Sequence, residues 1–159
     1  MEQKSLARWL KLVFIGVGLC GCVLAFVILP VCGQSIVQAY PEFAGCFWPW
    51  LVFLWLCCLP VAAALVLGWR IASNIGADRS FSLENARLLK WIAWLAAGDA
   101  GFFSLGNLVL LVLNMSHPSV VLASALVVFA AVAAAVAAAA LSHLVHKAAL
   151  LQEQSDLTI

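Results

Sequence analysis

Charge is scarce in this sequence: eight Lys or Arg and seven Asp or Glu among 159 residues, 9% in all. Soluble domains carry roughly a quarter, so this composition cannot cover a water-exposed surface. Basic residues are missing altogether from two connecting stretches, near 30–46 and 114–118. Also missing are a Gly-rich phosphate loop, a hydrolase elbow, a metalloprotease motif and a Cys-x-x-Cys pair. The chain is therefore read as non-enzymatic, with no cofactor and no metal implied. No internal repeat is evident, the net charge of +1 says little about partners, and no direct nucleic-acid contact is expected.

What is present is hydrocarbon, 66% of the residues. Four apolar runs, at about 12–29, 47–69, 91–113 and 119–141, each match the thickness of a bilayer core. The basic residues alternate between their flanks: Lys4, Arg8 and Lys11; Arg70, Arg79, Arg87 and Lys90; then Lys147. That is the positive-inside pattern of a multi-pass protein with both termini cytoplasmic. Trp9, Trp69 and Trp91 mark the inner boundary, and Trp48 and Trp50 the outer one. The fold class expected is an all-α, four-helix transmembrane bundle, N-in and C-in, a single domain over 1–159. Spans three and four are expected to extend into the cytoplasm, leaving a cytoplasmic loop at 70–90 and a tail at 142–159.

Lys4, Arg8 and Lys11 before an apolar stretch also resemble a signal sequence, and Leu19-Cys20-Gly21-Cys22 a lipoprotein cleavage box. The apolar run continues past Cys22 to Leu29, so the segment is read as a retained span. Pro30 is expected to close the first helix and Tyr40-Pro41-Glu42 to turn the outer loop. Pro60, inside span two, frees the carbonyl of Leu56 and is expected to kink the helix. Asn74-Ile75-Gly76-Ala77-Asp78 reads as a turn. Ser80 or Ser82 caps the next helix, with Glu84 in its first turn. Pro118 is placed for the start of span four.

Asp99 is the only formal charge inside the four runs, and an intramembrane ionisable group is a functional candidate. It lies roughly 13 Å along its helix from Lys90, near the midplane, with no cation at that depth. It is expected to be neutral and to donate a hydrogen bond to the Leu56 carbonyl, joining spans two and three. The competing reading makes it the titrating site of a carrier. Ser104 and Asn107 are the other polar groups on its helix.

Cys20, Cys22, Cys57 and Cys58 sit in apolar runs as small hydrophobes, whereas Cys32 and Cys46 flank the first outer loop and could form a disulfide. His143 and His146, one turn apart, complement a helix C-terminus or serve as ligands. Nine of the eleven residues from Ala130 to Ala140 are alanine. Such a face packs tightly within the bundle or against a second copy as a homodimer.

Two stretches, Arg79-Ser80-Phe81-Ser82-Leu83-Glu84-Asn85-Ala86 and the terminal Ser155-Asp156-Leu157-Thr158-Ile159, carry a resemblance over essentially the whole chain. With four spans and this length, the chain looks like the bacterial domain-of-unknown-function family numbered 2975. The resemblance implies a bacterial inner-membrane protein encoded beside a small Cro/C1-type helix-turn-helix regulator. It further implies a regulatory membrane partner for that transcription factor, and it supplies no catalytic residues. Phe81, Glu84, Asn85, Asp156, Leu157, Thr158 and Ile159 are the partner-binding candidates. The tail is a candidate for capture as an added strand, or for folding back so that Glu153 and Asp156 meet Arg79 or Arg87. The alternative function is a small proton-linked carrier or stress-related transporter that uses Asp99.

Overall fold

The computed structural model describes the backbone of residues 3–156 and the side chains of 3–155. Among them every regular element is helical, and four helices are long and apolar enough to cross a membrane. We label them α1 (Gln3–Ala39), α2 (Phe47–Gly76), α3 (Leu83–Val112) and α4 (Pro118–Asp156). Both ends of the described chain lie at the end of the array that holds the 77–82 turn, called here the basic end.

Pro30 does not close α1. The helix passes through it by widening into a π-helical turn at Leu24–Ile28, where the Leu29 N–H reaches back five residues to the Leu24 carbonyl. In that register residue 30 would bond the Ala25 carbonyl, but proline has no N–H to give. The Trp55 indole of α2 donates to that oxygen instead, at 2.8 Å. A cross-helix bond thus replaces the one proline removes, and α1 continues as α-helix from Leu29 to Ala39. It stops at Tyr40 (φ −133°, ψ 81°), which the following proline forces out of helical geometry. A 3-10 turn, Pro41–Cys46, leads into α2.

Two turns join the remaining helices in the same way. Arg79 N–H bonds the Asn74 carbonyl at 2.9 Å and Asp78 N–H bonds Ile75, with Asp78 at φ 62°. Met115 N–H bonds Leu110 at 2.8 Å and Asn114 N–H bonds Leu111, with Asn114 at φ 55°. Both are Schellman closures, with Asp or Asn in the left-handed position that glycine usually fills. The expected turn at 74–78 is therefore displaced: Asn74 to Gly76 are the last helical residues of α2. Gly76 serves close approach, since a Cβ there would lie 3.0 Å from that of Ala7 in α1. Ser82 caps α3 as expected, accepting from Asn85 N–H at 3.2 Å. Pro118 opens α4.

The helices form an antiparallel row. α1 packs on α2, α2 on α3, and α3 on α4, while no Cα of α1 comes within 8 Å of α3 or α4 among the described residues. The expected four helices are thus arranged as an open array, in which the fourth helix has only one neighbour. The seams explain why. α1 and α2 interlock by rings on glycines, Phe14 on Gly68 and Phe47 on Gly33. α3 and α4 meet through small side chains. The less exposed residues of α4 include Ser124, Val128, Ala131, Ala135, Ala138, Ser142, Val145 and Ala149, one stripe with steps of four and three. Opposite it, Ala86, Ala93, Ala100 and Asn107 recur every seventh residue of α3, all buried. Steps of seven give the shallow left-handed crossing, and small residues let the backbones approach. The large side chains of α4, Leu122, Leu126 and Phe129, point away and are about three-quarters exposed, ready for lipid contact.

Candidate functional site

The α2–α3 seam is built around one ring. Phe53 of α2 stacks on Phe103 (centroids 5.9 Å, 9° between planes) and tilts on Phe102 at 5.6 Å. It also fills the space that a Cβ at Gly106 would need. In an antiparallel pair this register sets Cys57, one turn further along α2, beside Asp99, one turn back along α3. Cys57 and Cys58 do lie within electrostatic reach of the Asp99 carboxyl.

Asp99 does not bond the Leu56 carbonyl. Its Oδ1 is buried and is the one buried side-chain oxygen or nitrogen among the described residues without a hydrogen-bond partner. The Phe53 wedge is the reason: it rotates α2 so that Cys57 faces α3, leaving Leu56 on the exposed side at 46%. Pro60 lies inside α2, which continues through it without a break in helix. The neighbouring polar groups look after themselves. Ser104 Oγ donates to Ala100 O at 2.7 Å, and Asn107 Nδ2 to Phe103 O at 2.8 Å, each bonding back one turn. An unpaired buried oxygen is unusual and calls for a role.

At the basic end the same two helices are joined differently. Asn74 Nδ2 donates to Asn85 Oδ1 at 2.8 Å, and Asn85 Nδ2 donates to the carbonyls of Arg79 and Ser80, both at 3.0 Å. Asn85 is 1% exposed. It closes the 77–82 turn from inside and offers nothing to a partner, which corrects its expected place in a binding surface. The staple extends outward: Ser80 Oγ donates to Gln3 Oε1 at 2.9 Å, and Ser142 Oγ of α4 donates to the Ala86 carbonyl at 2.7 Å. Asn74 and Ser142 belong to this network and were not expected in it; the only sequence signal was an Asn on each side of a turn. Phe81 is 59% exposed on the stapled loop, with Glu84 exposed beside it. The Asp156 side chain and Leu157, Thr158 and Ile159 lie outside the described residues. Up to that point the tail continues as helix instead of folding back.

Cys32 and Cys46 are free thiols, and the disulfide they could have formed is not present. Their neighbours Gly33 and Phe47 make the contact between these segments, and on a helix adjacent side chains point about 100° apart. His143 and His146 line an open groove of about 1070 Å³ between α3 and α4, together with Arg87 and Lys90. Lys11 Nζ sits 5.2 Å from the Trp69 ring centroid, a cation–π contact at the level where the basic flank meets the apolar run.

No curated protein and no solved structure matches the chain. A family model described as "protein of unknown function (DUF2975)" matches residues 31–159, well over half of the sequence. The chain belongs to that family.

Proposed function

We propose that this is a non-enzymatic regulatory protein of the bacterial inner membrane, multi-pass with both termini cytoplasmic. Its cytoplasmic face holds a soluble partner such as a small helix-turn-helix transcription regulator. The orientation is supported by the basic flanks, which meet at one end of the row. The observation that carries the reading is Phe81, a large apolar side chain 59% exposed on a loop fixed by a buried asparagine pair. A rigidly presented ring is the kind of anchor interfaces use, because little entropy is lost on docking. Glu84 and the 155–159 tail complete the surface. A second copy packed on the exposed alanines of α4, Ala130, Ala133, Ala137 and Ala140, belongs to the same proposal.

The test is affinity purification of the tagged protein from native membranes, with co-purifying proteins identified by mass spectrometry. A cytoplasmic partner is expected with the unaltered chain and is expected to be lost with Phe81→Ala combined with deletion of 155–159. A partner retained by that double variant would refute the reading.

A second reading is favoured by the unpartnered Asp99 Oδ1: a small carrier, proton-linked or stress-related, working at the α2–α3 seam. It requires a proton-linked flux in proteoliposomes that Asp99→Asn abolishes. A flux unchanged by that substitution removes it.

A further inference from the structure

Opposite the basic end the row encloses a pocket of about 860 Å³ that all four helices line, within the size range of small-molecule sites. Much of the lining is aromatic, formed by Tyr40, Phe43, Phe47, Trp50, Phe53 and Phe103. These rings are held by one another and by the backbone. Phe43 tilts on Trp50 at 5.7 Å, Trp50 Nε1 donates to Met115 O at 2.7 Å, and Phe53 stacks on Phe103. The wall is therefore built before anything enters.

Another part is polar, with no permanently charged side chain: Asn107, Ser116, His117, Ser119 and Ser124. Two of these, Asn107 and Ser124, are buried, and both keep hydrogen-bonding capacity. Ser124 Oγ gives its proton to Val121 O at 2.7 Å, so its lone pairs remain. Asn107 uses one N–H on Phe103 O and keeps the second. No Lys, Arg, Asp or Glu lines the space. A charged group entering it would lose its water without meeting a permanent counter-charge, which is costly.

The pocket also has a direction of entry. α1 contributes Leu29, Cys32 and Ile36 to one edge and α4 contributes Val120, Ala123 and Val127 to the other, yet no Cα of one lies within 8 Å of the other among the described residues. From Pro118 to Val127 the α4 edge drops about 14 Å along the helix, into the apolar run. The gap between the edges opens sideways, toward lipid.

The geometry points to a binding site for an uncharged, membrane-dissolved amphiphile, one with a planar ring bearing a hydroxyl or carbonyl on a hydrocarbon body. The ring lies among the aromatic side chains, where offset and edge contacts favour flat partners. Its polar group meets Asn107 and Ser124, and its tail leaves between α1 and α4.

The test uses the full chain in phosphatidylcholine nanodiscs and a 4-alkylphenol carrying a diazirine in its tail, with labelled peptides mapped by mass spectrometry. Matched probes replace the hydroxyl with a trimethylammonium or a sulfonate. Labelling by the phenol is expected to be saturable, competed by unmodified alkylphenol, and confined to the two edges between which the tail leaves, residues 29–36 and 120–127. Ala123→Trp, which puts a large ring at the exposed mouth, is expected to reduce it at least tenfold. Asn107→Leu is expected to weaken competition by the phenol about tenfold, the loss of one good hydrogen bond. Unsaturable labelling along every lipid-facing helix would overturn the site, and a charged probe that competes better than the phenol would overturn its chemistry. Saturation and competition on the unaltered protein decide the matter whether or not Ala123→Trp folds.

Discussion

Asn85 and Asp99 stand two heptads apart on α3, so both face α2, and both are polar. Around Asn85 every hydrogen-bonding function of the side chain is used: it accepts from Asn74 and donates to two loop carbonyls. Around Asp99 a buried oxygen has no partner, and two thiols, Cys57 and Cys58, lie within electrostatic reach. The first arrangement has no slack, because any change leaves several buried groups unpaired. The second has nothing to lose structurally, and a polar group kept in lipid with no structural return is where chemistry or signalling is sought.

Removing the staple should have the largest effect. Asn85→Leu deletes three side-chain hydrogen bonds and strands the Arg79 and Ser80 carbonyls, a cost of about 3 kcal/mol at roughly 1 kcal/mol per bond. Thermal unfolding in detergent should show it as a marked fall in Tm, and limited proteolysis should cut within 77–82. An unchanged Tm would mean that the loop is held by something other than Asn85.

Next in size is the α3–α4 seam. Ala135→Leu places a branched side chain at a buried position of the α4 stripe, and overpacking of this kind costs about 1–3 kcal/mol. The same change at Ala133, an exposed position, should be nearly neutral in the monomer. Equal losses at both sites would show that Ala133 is also buried, against a second copy.

How much of this was legible depended on the reach of each cause. Ser82 as a cap and Pro118 as a helix start follow from a few neighbouring atoms, and both were readable. So were four spans, since their length and apolarity are local sums. Passage of α1 through Pro30 was not, because it needs an indole on another helix, thirty residues beyond the Ala25 carbonyl it bonds. The Asp99 partner was misjudged for the same reason: depth in the membrane can be counted from Lys90, but rotation of α2 is set by Phe53 against Gly106. Span number alone does not say which helices are neighbours. In α4 the contact stripe was visible only as a periodicity of size, Ser, Val and Ala at steps of four and three, since a lipid-embedded helix has no hydrophobic contrast to read.

The π-turn offers a smaller effect. Trp55→Phe keeps the ring beside Phe26, now 5.8 Å away, but removes the donor to Ala25 O. A loss of about 1 kcal/mol is expected, read as a modest drop in Tm. Pro30→Ala in the Trp55→Phe background restores an N–H where the carbonyl needs one, and should recover most of that loss. No recovery would separate the indole bond from the proline.

The smallest effect on stability belongs to Asp99. If it were a structural joint like Asn85, Asp99→Leu would leave partners unpaired on α2 and cost on the order of 2 kcal/mol. With no bond to break, Asp99→Asn should change stability by less than about 0.5 kcal/mol. Asp99→Leu should be neutral or stabilising, since it removes a buried unsatisfied oxygen. The pair of substitutions thus measures whether Asp99 is held for the fold. A clear loss of Tm in Asp99→Leu would return it to the class of Asn85. Unchanged stability leaves the carboxyl without a folding role, and the flux of the Asp99→Asn protein then decides whether it has a transport one.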